Sequence, residues 1–124
     1  MKKFFTLILS MFSLSLLAND PKAAYDMYKE GKAIIIDVRE AEELRPGMVD
    51  GAQWFPMSKV QNEKNWKEDF IKQTEGKKIF LYCRSGNRSG KVQNILKENG
   101  INSENIGGFE NLKEILPVKI PANK

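Results

Sequence analysis

Histidine is absent from all 124 residues. That excludes a Cys-His or Ser-His catalytic pair and any His-ligated metal site. There is one cysteine, Cys83, so the chain can close no internal disulfide. A thiol redox cycle would need a resolving partner from another protein. No metal or organic cofactor is expected. A basic stripe is also missing: lysine and glutamate are interspersed, and nothing points to nucleic acid. The longest apolar run, Phe4 to Leu17, is shorter than the roughly 20 residues a spanning helix requires.

That run follows the short basic start Met1-Lys2-Lys3 and leads to Ala18 and the polar Asn19-Asp20-Pro21. The layout is that of a secretory signal over residues 1–18. Leu16 is a poor match to the small residue favoured before a cleavage site, and an uncleaved anchor is the alternative. The expectation is an exported, periplasmic protein with one domain over residues 19–124, monomeric and with no stable membrane association. Loss of the leader removes two lysines and leaves 18 basic against 16 acidic residues, a net charge of +2.

No repeat, linker or low-complexity block interrupts the remainder. Asp20-Pro21 can cap a helix that Gly31 ends. Ala33-Ile34-Ile35-Ile36, ending in Asp37, suits a strand buried on both faces. A short helix is expected from Glu40 to Leu44, a strand from Ala52 to Phe55, and a helix from Val60 to Gln73. Lys78 to Tyr82 reads as a strand that runs into Cys83. Val92, Ile95 and Leu96 give helical spacing to Ser89–Asn99, and Gly100 supplies the stop. A last short strand at Asn105-Ile106, a helix from Phe109 to Leu116 and a loose tail from Pro117 complete the chain. Strands alternate with helices, so the class is α/β with a mainly parallel sheet.

The segment "CRSGNRS", Cys83 to Ser89, puts the thiol at the carboxyl end of a strand, just before a helix. Ligands bind at that place in open α/β sheets. Gly86 permits the loop to curl until its N–H groups converge as an anion nest, and the helix N-terminus adds partial positive charge. Arg84 and Arg88 can add full charges. Such surroundings hold a cysteine as thiolate without an imidazole base. Each neighbour also has a plainer reading: Arg84 as a solvated surface charge, Asn87 as a turn former, Ser89 as a helix cap.

"CRSGNRS" resembles the active-site loop of single-domain rhodaneses, the thiosulfate sulfurtransferase family. "DVREAEEL" (Asp37 to Leu44), "GMVDGAQWFP" (Gly47 to Pro56) and "NIGGFENLKE" (Asn105 to Glu114) resemble further family segments in the family's order. The small exported layout is most like the periplasmic members. Met48 stands where the family usually has histidine, Leu44 where it has an aromatic, and the tryptophan after Gly-Gly is missing. The resemblance implies a three-layer domain with a central, mainly parallel sheet flanked by helices. It implies a persulfide on Cys83, with Arg84, Ser85, Gly86, Asn87, Arg88 and Ser89 contacting substrate, and with Arg88 first and Arg84 second as holders of the sulfonate. The donor would be a small anion such as thiosulfate, and the acceptor cyanide or a thiol. Asp37, Arg39 and Glu43 would be structural, Arg39 pairing with Glu43. Trp54 and Trp66 are assigned no chemistry.

Three other readings compete. Phosphatase or arsenate reductase loops of the related type need five residues between cysteine and arginine, whereas four separate Cys83 from Arg88. A carrier or binding module that hands over a persulfide by protein contact would use the same loop. Thiol redox exchange is the third, and an accessible thiolate in an exported protein is open to oxidation.

Overall fold

In the computed structural model, which describes residues 20–121, four parallel strands form the central sheet. Helix α1 (Pro21–Lys29) begins at Asp20, whose carboxylate accepts the Lys22 N–H at 3.1 Å. Strand β1 (Ala33–Asp37) follows, then a 3-10 turn (Ala41–Leu44). The short strands β2 (Met48–Val49) and β3 (Gln53–Trp54) come next, then α2 (Met57–Asn62) and α3 (Trp66–Thr74). Strand β4 (Lys78–Cys83) leads into α4 (Asn87–Glu98). The chain continues through β5 (Glu104–Gly108), α5 (Phe109–Leu112) and β6 (Val118–Lys119). The sheet order is β3-β1-β4-β5.

The apolar runs explain why β1 and β4 lie in the middle. All five β1 residues are buried, as are the last five of β4. Alternate side chains serve opposite faces. Ile35, Phe80 and Tyr82 pack with Ala24, Tyr25, Phe109 and Leu112 on one side. Ile34, Ile36, Ile79, Leu81 and Cys83 pack with Phe55, Phe70, Val92 and Leu96 on the other. Burial of each large apolar side chain is worth about 1.5–3 kcal/mol. The sheet is therefore held from both faces, and its carboxyl edge forms a fixed platform.

The helix expected over residues 60–73 is two helices. Glu63 is extended, with φ −97° and ψ 134°. On one straight helix Val60 and Phe70 would point about 80° apart. The break lets both enter the same core cluster. The tail beyond Pro117 is also corrected: Val118 and Lys119 pair antiparallel with Val49 and Met48. A two-residue strand shows no periodicity, so nothing local announces it. The final helix stops at Leu112, although Leu116 is still buried. The proposed leader, residues 1–18, lies outside the described residues.

Candidate active site

Cys83 ends β4, opposite Gly108 of β5, where the β4–β5 register shifts between Leu81 and Cys83. The irregularity releases the chain from the sheet, and the following loop rests on Gly108. A Cβ on Gly108 would overlap the Arg84 carbonyl and stand 2.6 Å from Ser85 Cα. Gly86 then turns the chain into α4 with φ +96°, a conformation glycine adopts without strain.

The turn aims donors at the sulfur. The Gly86 N–H donates to Cys83 Sγ at 3.0 Å, and the Ser89 hydroxyl lies 3.4 Å from it. Cys83 and Ser89 are both fully buried, while Arg84, Ser85 and Asn87 are exposed at the rim. Burial by itself pushes the thiol pKa up. The Ser89 hydroxyl and the N–H groups of Ser89, Ser85 and Gly86 outweigh it, and the pKa falls below the ordinary thiol value. Hydrogen bonds to the charged form are the cause.

The two loop arginines are in different situations. Arg88 donates through Nη1 and Nη2 to the two Glu43 carboxylate oxygens, each at 2.6 Å. That fork holds the Glu43 carboxyl down to about pKa 2, against the opposing effect of burial. Arg84 makes no side-chain hydrogen bond or ion pair among the described residues. It lines a groove of about 600 Å³ with Phe109, Glu42, Glu110 and Lys113.

The expected Arg39–Glu43 ion pair is replaced by another arrangement. Arg39 is buried against Asp37, with Nη2 2.7 Å and Nε 3.1 Å from Oδ2. Its remaining donors reach the Glu43 and Gly47 carbonyls at 3.0 and 2.7 Å. The guanidinium lies 4.3 Å from the centre of the Phe109 ring. Asp37 is two residues away on the same extended segment and occupies the fork, so the Glu43 carboxylate is left for Arg88. The two arginines thus bind Glu43 by different atoms, Arg39 its backbone and Arg88 its side chain. Trp54 is exposed at the end of β3, and its indole N–H donates to the Arg39 carbonyl at 2.8 Å.

One residue that the motif reading includes without a role belongs to the site. Asn105 of β5 reaches Gly86, Ser89 and Gly107. It is 16 residues beyond Ser89, and only the sheet pairing of β4 with β5 brings it to the loop.

Comparison with known proteins places these features in a wider set. The family model for the Rhodanese-like domain matches residues 20–114. A putative mitochondrial thiosulfate sulfurtransferase from Schizosaccharomyces pombe is 28% identical over 115 residues, covering 81% of this chain and 80% of that protein. The uncharacterized protein YqhL of Bacillus subtilis is 36% identical over 69 residues, which is 56% of this chain. The chain matches only half of YqhL's length. The crystal structure of a rhodanese-related protein from Thermoplasma volcanium superposes with a TM-score of 0.66 at 27% identity. That match covers 82% of this chain and 96% of the other.

Proposed function

The chain belongs to the rhodanese-like family, and from that premise we propose that it is a sulfurtransferase acting through a persulfide on Cys83. The observation that carries the proposal is the set of donors converging on one buried sulfur. Backbone N–H groups and a hydroxyl stabilise a sulfur anion there with no base to remove a proton.

The donor is thiosulfate or a similar small anion. Cys83 thiolate attacks the outer sulfur, a new S–S bond forms, and the donor's own S–S bond breaks with its electron pair leaving on sulfite. The persulfide anion then occupies the centre of the loop. Cyanide or a thiolate attacks its terminal sulfur, leaves as thiocyanate or a new persulfide, and returns the Cys83 thiolate. Neither half requires a proton transfer, which fits a chain without histidine.

Arg84 is the side chain that meets the sulfonate, because its guanidinium is exposed and Arg88 is committed to Glu43. Ser85 and Asn87 flank the mouth, and Gly86 and Ser89 serve the sulfur. This commitment of Arg88 also disfavours phosphatase or arsenate reductase chemistry, which would require its fork to face an oxyanion. We assign the protein to the periplasm as a monomer without metal or organic cofactor, acting on small molecules and not on nucleic acid or membrane.

Mass spectrometry of reduced protein after thiosulfate treatment tests the reading. The expected result is one added sulfur atom on Cys83, absent in Cys83→Ser and discharged by cyanide as thiocyanate. A folded, reduced sample that gains no sulfur would overturn the thiosulfate assignment.

A further inference from the structure

Asn105 stands outside the cysteine loop, on β5, yet its amide joins three parts of the site. Nδ2 donates to the Gly86 carbonyl at 2.9 Å. Oδ1 accepts the Gly107 N–H at 3.0 Å and the Ser89 hydroxyl at 2.8 Å. The Gly86 carbonyl also accepts the Gly90 N–H at 3.2 Å, as the opening bond of α4. A carbonyl gripped from two sides cannot rotate. The C=O and N–H of a trans peptide point in opposite directions, so the Asn87 N–H is held away from the helix, toward the start of the loop.

The second contact concerns a single proton. The Ser89 hydroxyl has one hydrogen and two acceptors, Asn105 Oδ1 at 2.8 Å and Cys83 Sγ at 3.4 Å. The shorter bond fixes where Oγ sits, and that position is within reach of the sulfur. Without it the buried hydroxyl could take another rotamer.

We propose that Asn105 is a positioning residue for the chemistry of Cys83, clasping the Gly86 carbonyl, and with it the turn whose Gly86 N–H donates to the sulfur, together with the Ser89 hydroxyl. Its purpose rests on the sulfur-transfer reading, but its test does not. The charged groups around the sulfur are Arg88, held by Glu43 with Glu40 beyond it, and the exposed Arg84. Behind them lies the closed Asp37–Arg39 pair. Replacing neutral Asn105 by alanine or serine alters none of these charges.

The experiment is the pH dependence of iodoacetamide alkylation at Cys83, read by mass spectrometry beside a thermal melt. Asn105→Ala is expected to raise the alkylation midpoint by about 0.5–1 pH unit, so the rate below the midpoint falls about three- to tenfold. Asn105→Ser keeps a polar side chain on β5 but reaches neither Gly86 nor Ser89, and it should give the same rise if alanine is not tolerated. A purely structural role would lower the melting temperature and leave the midpoint in place. An unmoved midpoint in a folded variant overturns the proposal. So does a lowered one, which would mean that Asn105 withholds the hydroxyl from the sulfur. Wild-type sulfur loading is measured in parallel. A shifted midpoint with no loading would overturn the transfer reading and leave the positioning role standing; loading with an unmoved midpoint would do the reverse.

Discussion

Glu43→Gln tests the ion pair beside the cysteine loop without disturbing its shape. Gln keeps an oxygen where Glu43 Oε1 accepts the Glu40 N–H at 2.9 Å, so the cap of the 3-10 turn survives. What is lost is the charge opposite Arg88. The folded state holds the Glu43 carboxyl at about 2, from an ordinary value of 4.5, with Arg88 as the main cause. Carried through proton linkage, that depression is worth at most about 3 kcal/mol at neutral pH. The two side chains are 26% and 27% exposed, so solvent screening reduces the figure to about 2 kcal/mol. The sign follows from the direction of the shift. A depressed carboxyl stabilises the fold fully above its unfolded pKa, and the contribution fades as pH falls toward the folded value. Urea unfolding of both proteins should show the full gap at pH 7, shrinking to well under half of it near pH 3. A gap that is absent at pH 7, or constant down to pH 3, refutes the reasoning. Arg88, freed of its counter-ion, should also favour the thiolate and move the Cys83 alkylation midpoint down.

Other perturbations follow from the same contacts. Arg39→Ala leaves the Asp37 carboxylate buried without its partner and should cost about 3–5 kcal/mol by urea unfolding. Gly108→Ala drives a methyl group into the Arg84 carbonyl. It should cost about 1–3 kcal/mol and abolish sulfur loading, whereas Gly100→Ala, with open space around it, should leave loading intact. Arg84→Ala should raise KM for thiosulfate about three- to tenfold with kcat little changed, as expected for loss of one exposed anion contact. An unchanged KM would remove Arg84 from the donor site.

The parts of the fold that were legible in the sequence are those with long, one-sided patterns. Ala33 to Asp37 and Lys78 to Cys83 are continuous apolar runs, and both became central parallel strands. Asp20-Pro21 announced α1 because a capping carboxylate and a proline at the first position are local signals. The break at Glu63 was not legible, since Val60 to Gln73 contains no glycine or proline; it is imposed by the demand that Val60 and Phe70 share one core. At the site, the turn at Gly86 could be foreseen from glycine beside a strand end. The partner of Arg39 could not, because Asp37, Glu40, Glu42 and Glu43 all lie within four residues of it. Only the fold shows that Asp37 is buried against the guanidinium and that Glu43 faces α4. Asn105 was hidden for a different reason. Its role depends on which strand lies beside β4, and spacing along the chain does not carry that information.

These contacts join into one path from the core to the sulfur. Asp37 fixes Arg39 between β1 and the Phe109 ring. Arg39 holds the backbone of Glu43, and the Glu43 side chain holds Arg88 on the first turn of α4. That turn carries Ser89 to the sulfur from one side, while Asn105 secures the same serine from β5. The loop is thus tied both to β1 and to β5, the strands that flank β4. Such bracing matters for a nucleophile that is fully buried. On the proposed chemistry, the terminal sulfur of the persulfide would stand about 2 Å beyond Cys83 Sγ. Rigid support of the loop and burial of the sulfur are therefore two aspects of one arrangement, which keeps the donors aimed at the place where a sulfur anion would sit.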